Sequence, residues 1–359
     1  MINFFEYSRT YESLKKEICE DILQIINTGV FINGDSVKKF EKEMRDYLVA
    51  NSFVGLSSGT DALIVAIMAA VNKKKGNFIV PSFTFTATAM SPARLGYDIK
   101  FVDVDENSFT PSVKNVVQAC DSETVGIIWP YLFGEPSDLE ELYDYCKESG
   151  IVLIEDCAQS LGTKNKGVFA GNVSDVGCYS FFPTKNLGCF GDGGGVSTNS
   201  EKIYEKIKRI KSHGYYDQKY NSTIIGGNFR LDTIQATILL RIFSKFENLI
   251  AQRKKNALFY DRNITNERII KPEFTEGHTW NQYCLVVDDN IKFKKYLAKN
   301  NIQSNVYYPV PLHKNPVFDT GESLVNTEKL CSKIISIPIY PGLPKKSLVR
   351  ITEAVNRYE

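Results

Sequence analysis

A single lysine, Lys185, stands between an aromatic-rich segment and a run of glycines, in Ser180-Phe-Phe-Pro-Thr-Lys185-Asn-Leu-Gly188-Cys-Phe-Gly-Asp-Gly-Gly-Gly195. Glycine lets backbone approach a bound group closely and adopt φ values closed to other residues. A lysine held in such a place and partly desolvated loses proton affinity and becomes an amine nucleophile. The same stretch also reads as a glycine-rich loop with a solvated lysine, so the decision rests on other segments. One is Ile151-Val-Leu-Ile-Glu155-Asp156-Cys-Ala-Gln159, where four apolar residues run into two acids. A carboxylate there can hold a protonated heterocyclic nitrogen, because a buried ion pair keeps both partners charged. A helix-capping role for Asp156 accounts for the same residues.

Two further segments complete a set. Ser58-Gly59-Thr60-Asp61 joins an apolar strand to an apolar helix. The free N–H groups and dipole of a helix start make an anion site, although plain N-capping gives the same pattern. Pro81-Ser-Phe-Thr84-Phe85 puts an aromatic ring, Phe85, after another strand, where it could stack on a flat ligand. An anion cradle, a stacking ring, an acid for a ring nitrogen and a lysine for an aldehyde are the needs of pyridoxal phosphate. No Walker or Gly-x-Gly-x-x-Gly pattern follows the strand before Ser58, which disfavours a nucleoside triphosphate site and a Rossmann dehydrogenase.

These segments need a scaffold that brings strand ends together. Short β-rich runs at Phe53–Leu56, Phe78–Val80, Ile99–Val104, Val125–Trp129 and Ile151–Ile154 alternate with helical stretches such as Asp61–Val71. That alternation predicts an α/β fold with a largely parallel sheet covered on both faces. Ligands of such sheets sit beyond the carboxyl ends of the strands. Two polar-faced helices are expected at Tyr11–Thr28 and Asp35–Val49, and a long one from Asp232 toward Tyr260. The texture changes after Asn248, so residues 1–248 are expected to form a large cofactor-binding domain and 249–359 a smaller C-terminal one.

Composition removes other classes. The chain has 359 residues and a net charge of +1, which gives no electrostatic case for nucleic acid or an anionic membrane surface. No apolar run has the length of a membrane span, and the first residues lack the pattern of a signal peptide. Eight scattered cysteines without a Cys-x-x-Cys pair argue against a zinc site or a disulfide framework. Reduced thiols in a cytoplasmic protein are the expectation.

The ordered motifs resemble those of the DegT/DnrJ/EryC1/StrS family of pyridoxal-phosphate-dependent sugar aminotransferases. They are Gly29-Val-Phe-Ile-Asn-Gly34, Leu56-Ser-Ser-Gly-Thr-Asp-Ala-Leu63, Glu155-Asp-Cys-Ala-Gln159, Ser180 to Gly188, Gly191-Asp-Gly-Gly194 and Gly226-Gly-Asn228-Phe-Arg230-Leu-Asp232. The resemblance implies the aspartate-aminotransferase (fold type I) architecture: a mostly parallel seven-stranded sheet sandwiched by helices, plus a smaller C-terminal α/β domain. It implies Lys185 as the Schiff-base lysine and proton carrier, Asp156 at the pyridine nitrogen, Gln159 near the ring hydroxyl and Phe85 on the ring. Gly59, Thr60 and Ser180 would hold the phosphate. Asn228 would reach the phosphate of a neighbouring subunit's cofactor, which implies a homodimer with shared active sites.

Relatives that remove a hydroxyl carry histidine at the Schiff-base position, so Lys185 implies amine transfer. L-glutamate is then the expected donor and a nucleotide-linked keto-sugar the acceptor. Val306-Tyr-Tyr308-Pro-Val-Pro311-Leu-His313 resembles members that aminate carbon 3 of dTDP- or UDP-linked sugars. Tyr308 and His313 are therefore expected at the sugar, with Arg230 also on the substrate side. His213, Lys219 and Tyr220 are expected at the pyrophosphate. Phe182 stands where tyrosine is common in carbon-3 enzymes. The leading expectation is amination at carbon 3 of a dTDP-linked 6-deoxyhexose for a surface glycan. Carbon-4 amination and a non-catalytic sensor are the alternatives.

Overall fold

Adjacent rather than alternate apolar residues mark the central strands. Ile127 and Ile128, like Leu153 and Ile154, are fully buried. Successive strand residues point to opposite faces, so each pair feeds two cores. Ile127 and Leu153 pack with Phe40, Trp129 and Leu142 on one face. Ile128 and Ile154 pack with Leu63, Phe78 and Val80 on the other. A sheet covered on both faces requires this pattern.

The computed structural model describes residues 1–106, 108–216, 220–318 and 321–359. Its main sheet holds β1 (Ser52–Leu56), β2 (Asn77–Pro81), β3 (Asp98–Val102), β4 (Thr124–Pro130) and β5 (Val152–Asp156). A two-residue hairpin, β6 (Lys164–Asn165) and β7 (Val168–Phe169), precedes its last members, β8 (Val176–Ser180) and β9 (Gly194–Thr198). The spatial order is β1-β9-β8-β5-β4-β2-β3. The β9 strand runs antiparallel to β1 and β8, and the remaining pairs are parallel. The carboxyl ends of β1, β2, β4, β5 and β8 therefore share one edge, where Ser58, Phe85, Asp156 and Lys185 follow.

Toward the C-terminus, β10 (Tyr283–Val286) pairs with β11 (Ile334–Ile337). Its core joins Tyr283, Phe293, Ile335 and Ile351 with Ile2 from the first residues of the chain. The helix expected from Asp232 is two helices, Thr233–Phe243 and Phe246–Asn263. The chain breaks at Lys245, whose φ and ψ of −116° and 7° leave the helical region. The boundary drawn at residue 248 thus falls inside a helix. The first helix begins at Lys15, preceded by a short helix at Tyr7–Tyr11 and a 3₁₀ turn. No described helix is long and apolar enough to cross a membrane.

Candidate active site

The helix Gly59–Ala70 starts where β1 ends, capped by Ser58 Oγ, which accepts from the Asp61 N–H at 3.0 Å. The first N–H groups of any helix lack intrahelical partners, and here they open beside Ser180. A Cβ added at Gly59 would lie 2.7 Å from the Ser180 Cβ, so only glycine lets the helix start and the β8 end meet. The helix is apolar on all sides and buried between β8, β9 and the neighbouring helices.

At the end of β5, alternation separates two adjacent acids. Glu155 points into the protein and is fully buried. It accepts from the Tyr131 hydroxyl and from the N–H groups of Gly171, Val173 and Ser174. It ties the 171–174 turn to the sheet. Asp156 points to the ligand edge. Its Oδ2 accepts from the Thr88 hydroxyl at 2.9 Å and its Oδ1 from the Ala158 N–H at 3.1 Å. Burial raises the Asp156 carboxyl above its ordinary value, while Thr88, Ala158 and the charge of Lys185 pull it down.

Lys185 follows β8 on a turn in which its N–H donates to the Phe182 carbonyl at 2.8 Å. Its side chain keeps contact with the cavity but is packed closely by protein on its other sides. Burial lowers the ammonium to about 8, with Asp156 opposing. The lysine is therefore far closer to a free amine at neutral pH than a solvated one.

These groups line a cavity of about 590 Å³. Gly59, Thr60, Ser180 and Asp156 lie along it, and so do Phe85, Gln159, Phe182, Lys185 and Tyr308. Phe85 keeps 52% of its surface exposed, a large area for a phenyl ring at the mouth of a site. The Gln159 amide is fixed at both ends: Oε1 accepts from the Phe133 N–H at 2.8 Å and Nε2 donates to the Tyr308 hydroxyl at 2.7 Å. Burial holds the Tyr308 phenol well above its ordinary range, so it stays protonated.

Other expected residues lie elsewhere. His313 is fully buried, its Nδ1 paired with Ser82 Oγ at 2.7 Å and its Nε2 with Glu328 at 3.0 Å. It is not among the residues that line the cavity. Both its ring nitrogens are spent on joining the β2 end to the Glu328 helix. Arg230, Asn228, His213 and Tyr220 are also absent from the cavity wall. They belong to a segment that runs past the end of β1, with bridges Leu56–Arg230 and Ser212–Asn228. Lys219 lies outside the described residues. Thr88, which holds Asp156, was missed, as were Asp192, Asn281 and Gln282 on the cavity wall. Thr88 lies in the first turn of the helix Thr86–Arg94, four residues after Thr84, whose hydroxyl it meets at 3.1 Å.

A sheet edge that sets a burial-tuned lysine against a buried aspartate defines a pyridoxal-phosphate enzyme of the aspartate-aminotransferase class. Residues 12–356 match the DegT/DnrJ/EryC1/StrS aminotransferase family, and the chain belongs to that family. It is 34% identical to the pleiotropic regulatory protein of Geobacillus stearothermophilus, over 99% of this chain and 98% of that protein. It is 34% identical to the UDP-2-acetamido-2-deoxy-3-oxo-D-glucuronate aminotransferase of Pseudomonas aeruginosa, over 99% of each. Identity to the dTDP-3-amino-3,6-dideoxy-alpha-D-galactopyranose transaminase of Aneurinibacillus thermoaerophilus is 32%, over 100% of this chain and 99% of that one. Among solved structures, Streptomyces venezuelae DesV in complex with a ketimine intermediate superposes with a TM-score of 0.94 at 28% identity, covering 99% and 97% of the two chains. The Bacillus subtilis protein NtdA, solved with bound cofactor PMP, has a TM-score of 0.92 at 26% identity, covering 99% and 84%.

The family is pyridoxal-phosphate-dependent, and the residues present fit that group. Gly59 keeps the helix start clear of any Cβ, the buried Asp156 carboxylate lacks a cation other than Lys185 among the groups that shift it, and the lysine amine is tuned toward neutrality.

Proposed function

We propose that this aminotransferase aminates carbon 3 of a keto-6-deoxyhexose carried on dTDP, with L-glutamate as amino donor, as a homodimer. The observation that carries the reaction is Lys185: a half-buried lysine on the cavity wall, lowered to about 8 by desolvation, which shares that wall with a buried aspartate. Bound pyridoxal phosphate supplies an electron sink and carries the amino group between donor and acceptor. The chain supplies everything else. The Lys185 amine would be the group that holds the cofactor's aldehyde, and its Nζ would move the proton. Asp156, braced by Thr88 and Ala158, holds the positive charge of a ring nitrogen. Gly59, Thr60 and Ser180 would hold its phosphate, Phe85 would stack on its ring, and Gln159 would reach its ring hydroxyl. Phe182 and Tyr308 line the same cavity on the sugar's side.

The carbon-3 position is supported by two of the relatives named above, which handle sugars with nitrogen or a keto group at carbon 3; one carries UDP and the other dTDP, and the choice of dTDP follows the latter. A dimer is supported by surface chemistry. Val30, Phe31 and Ile32 form a consecutive exposed apolar run, and Ile225 is 84% exposed. Asn228, His213, Tyr220 and Arg230 would then serve a cavity completed by the partner. Exposed apolar groups of this kind mark interaction surfaces.

Borohydride reduction followed by peptide mapping tests the mechanism: the cofactor adduct must lie on Lys185. Incubation with 3-keto and 4-keto dTDP-sugars plus glutamate, with the amine located by NMR, tests the position. An amine at carbon 4 overturns it. A sensor without catalysis has one observation in its favour, the regulatory name of the Geobacillus relative. Turnover of any keto-sugar excludes it.

A further inference from the structure

The residue after the lysine has an unusual partner. Asn186 is buried, and its Oδ1 accepts from Nδ2 of Asn281 at 3.1 Å, across 95 residues of chain. Its own Nδ2 donates to the Leu161 carbonyl at 3.3 Å. Asn281 is also buried, yet it lines the cavity. The segment that carries it is heavily pinned. Its N–H donates to the Phe133 carbonyl at 2.8 Å, and the Thr279 N–H donates to the Gly134 carbonyl at 3.1 Å. Trp280, between them, has a φ of 55°, a left-handed conformation rare for a bulky residue.

Behind this segment lies Arg253, which is 2% exposed. Its Nη1 donates to the carbonyls of Trp280 and Asn281 at 3.3 and 3.1 Å, and no acid is among the groups that shift it. A buried guanidinium spent on two backbone carbonyls is a costly way to hold a loop. Phe133 closes the circuit, since its N–H donates to Gln159 while its carbonyl accepts from Asn281. One hydrogen-bonded chain thus runs from Gln159 through Phe133 and Asn281 to Asn186, the immediate neighbour of Lys185.

We infer that the Asn281–Asn186 amide pair is a positioning latch that keeps Lys185 in its desolvated place. Asn281 and Asn186 act through Lys185 rather than on substrate. The inference rests on the reading of Lys185 as the lysine that takes up the cofactor. Freed from the latch, the lysine gains solvent, and its proton affinity moves back toward that of an exposed amine.

The test uses the full-length chain stripped of cofactor, with pyridoxal phosphate as the probe. The rate of covalent capture is measured against pH for the wild type, Asn186→Ala, Asn281→Ala and the double variant, with thermal unfolding alongside. Each single variant is expected to raise the midpoint by half a unit or more, about three-fold slower capture at pH 7. The double variant is expected to shift no further than the larger single one, because both break one contact. Asn281→Leu keeps the volume and removes the donating Nδ2 without adding a charge near Lys185, and carries the test if an alanine variant fails to fold. Unchanged midpoints, shifts that add, or a fall in melting temperature alone overturn the latch. A wild type with no adduct on Lys185 instead overturns the reading beneath it.

Discussion

At its inner end the cavity draws on strand termini between Leu56 and Lys185, each followed at once by a functional side chain. At its mouth it draws on Phe182, Gln282 and the 306–309 segment, and His213 and Tyr220, expected at the pyrophosphate, lie off its wall. The inner end is finished within one chain: Asp156 has its hydroxyl and N–H donors, Gln159 is fixed at both amide atoms, and Lys185 is closely packed. The mouth keeps Phe85 and Phe182 half exposed. Chemistry is thus built into the sheet, while substrate choice is left to loops and, as proposed, to a second subunit.

The sharpest way to break this contrast is at the inner end. Lys185→Ala is expected to lower kcat by about 10⁴-fold or more, since it removes both nucleophile and proton carrier. Residual turnover within 10-fold of the wild type, measured as glutamate-dependent amination, would sink the assignment. Asp156→Asn removes one member of a buried charge pair with the bound cofactor, a loss of about 3–5 kcal/mol. That is roughly 10²–10⁴-fold in rate. Steady-state kinetics at saturating pyridoxal phosphate separates this effect from weaker cofactor binding.

The pH profile comes next in size. With Lys185 lowered to about 8 by burial, covalent capture of pyridoxal phosphate should rise about ten-fold per unit below pH 8 and level off above it. The sign for stability follows from the same shift. The unfolded chain, with an ordinary lysine near 10.5, binds more protons than the folded one between about 8 and 10.5. The contribution of this group to the cofactor-free protein's stability therefore rises with pH across that window. A capture rate that keeps rising ten-fold per unit through pH 9, without levelling, would contradict the burial of the amine.

The contrast also explains what was legible in the sequence. The strand ends follow a rule of parallel sheets, so apolar runs leading to Ser58, Phe85 and Asp156 could be read as one edge without contacts. Lys185 needed the others, because its glycine-rich surroundings suit a solvated loop equally well. Thr88 was passed over since a threonine inside a helix start has many uses, and only its 2.9 Å bond to Asp156 singles one out. His313 illustrates the opposite error of inference. It sits four residues after Pro309, where the cavity-lining stretch ends, yet the three residues between carry it behind the wall to Ser82 and Glu328. Loop direction has no period to reveal it. The break at Lys245 was hidden for a related reason: residues on both sides have helical patterning, and only local backbone geometry ends the first helix.

Adjacent acids give a comparison within one strand. Glu155 accepts four hydrogen bonds from groups that can only donate or are placed to donate. Glu155→Gln turns one acceptor into a donor facing them, at a cost of about 2–5 kcal/mol in stability. Chemical denaturation measures that loss. The capture midpoint of Lys185 should stay in place, because Glu155 lies on the other side of β5. A shifted midpoint with unchanged stability would exchange the roles given to the two acids.

The smallest expected effect lies at the mouth and tests whether substrate choice resides there. Phe182 is 48% exposed and lines the cavity beside Lys185. Phe182→Tyr adds one hydroxyl to a ring with room around it, so it should disturb neither the fold nor the buried lysine. A single hydrogen bond of ordinary strength contributes about 0.5–1.5 kcal/mol, or roughly two- to ten-fold in affinity. The change should fall on KM for the keto-sugar, since a contact made equally in ground and transition states leaves kcat alone. KM for glutamate separates the two substrates in the same experiment. If kcat changes instead, the ring acts at the inner end, and the division between a finished interior and an open mouth would have to be redrawn through Phe182.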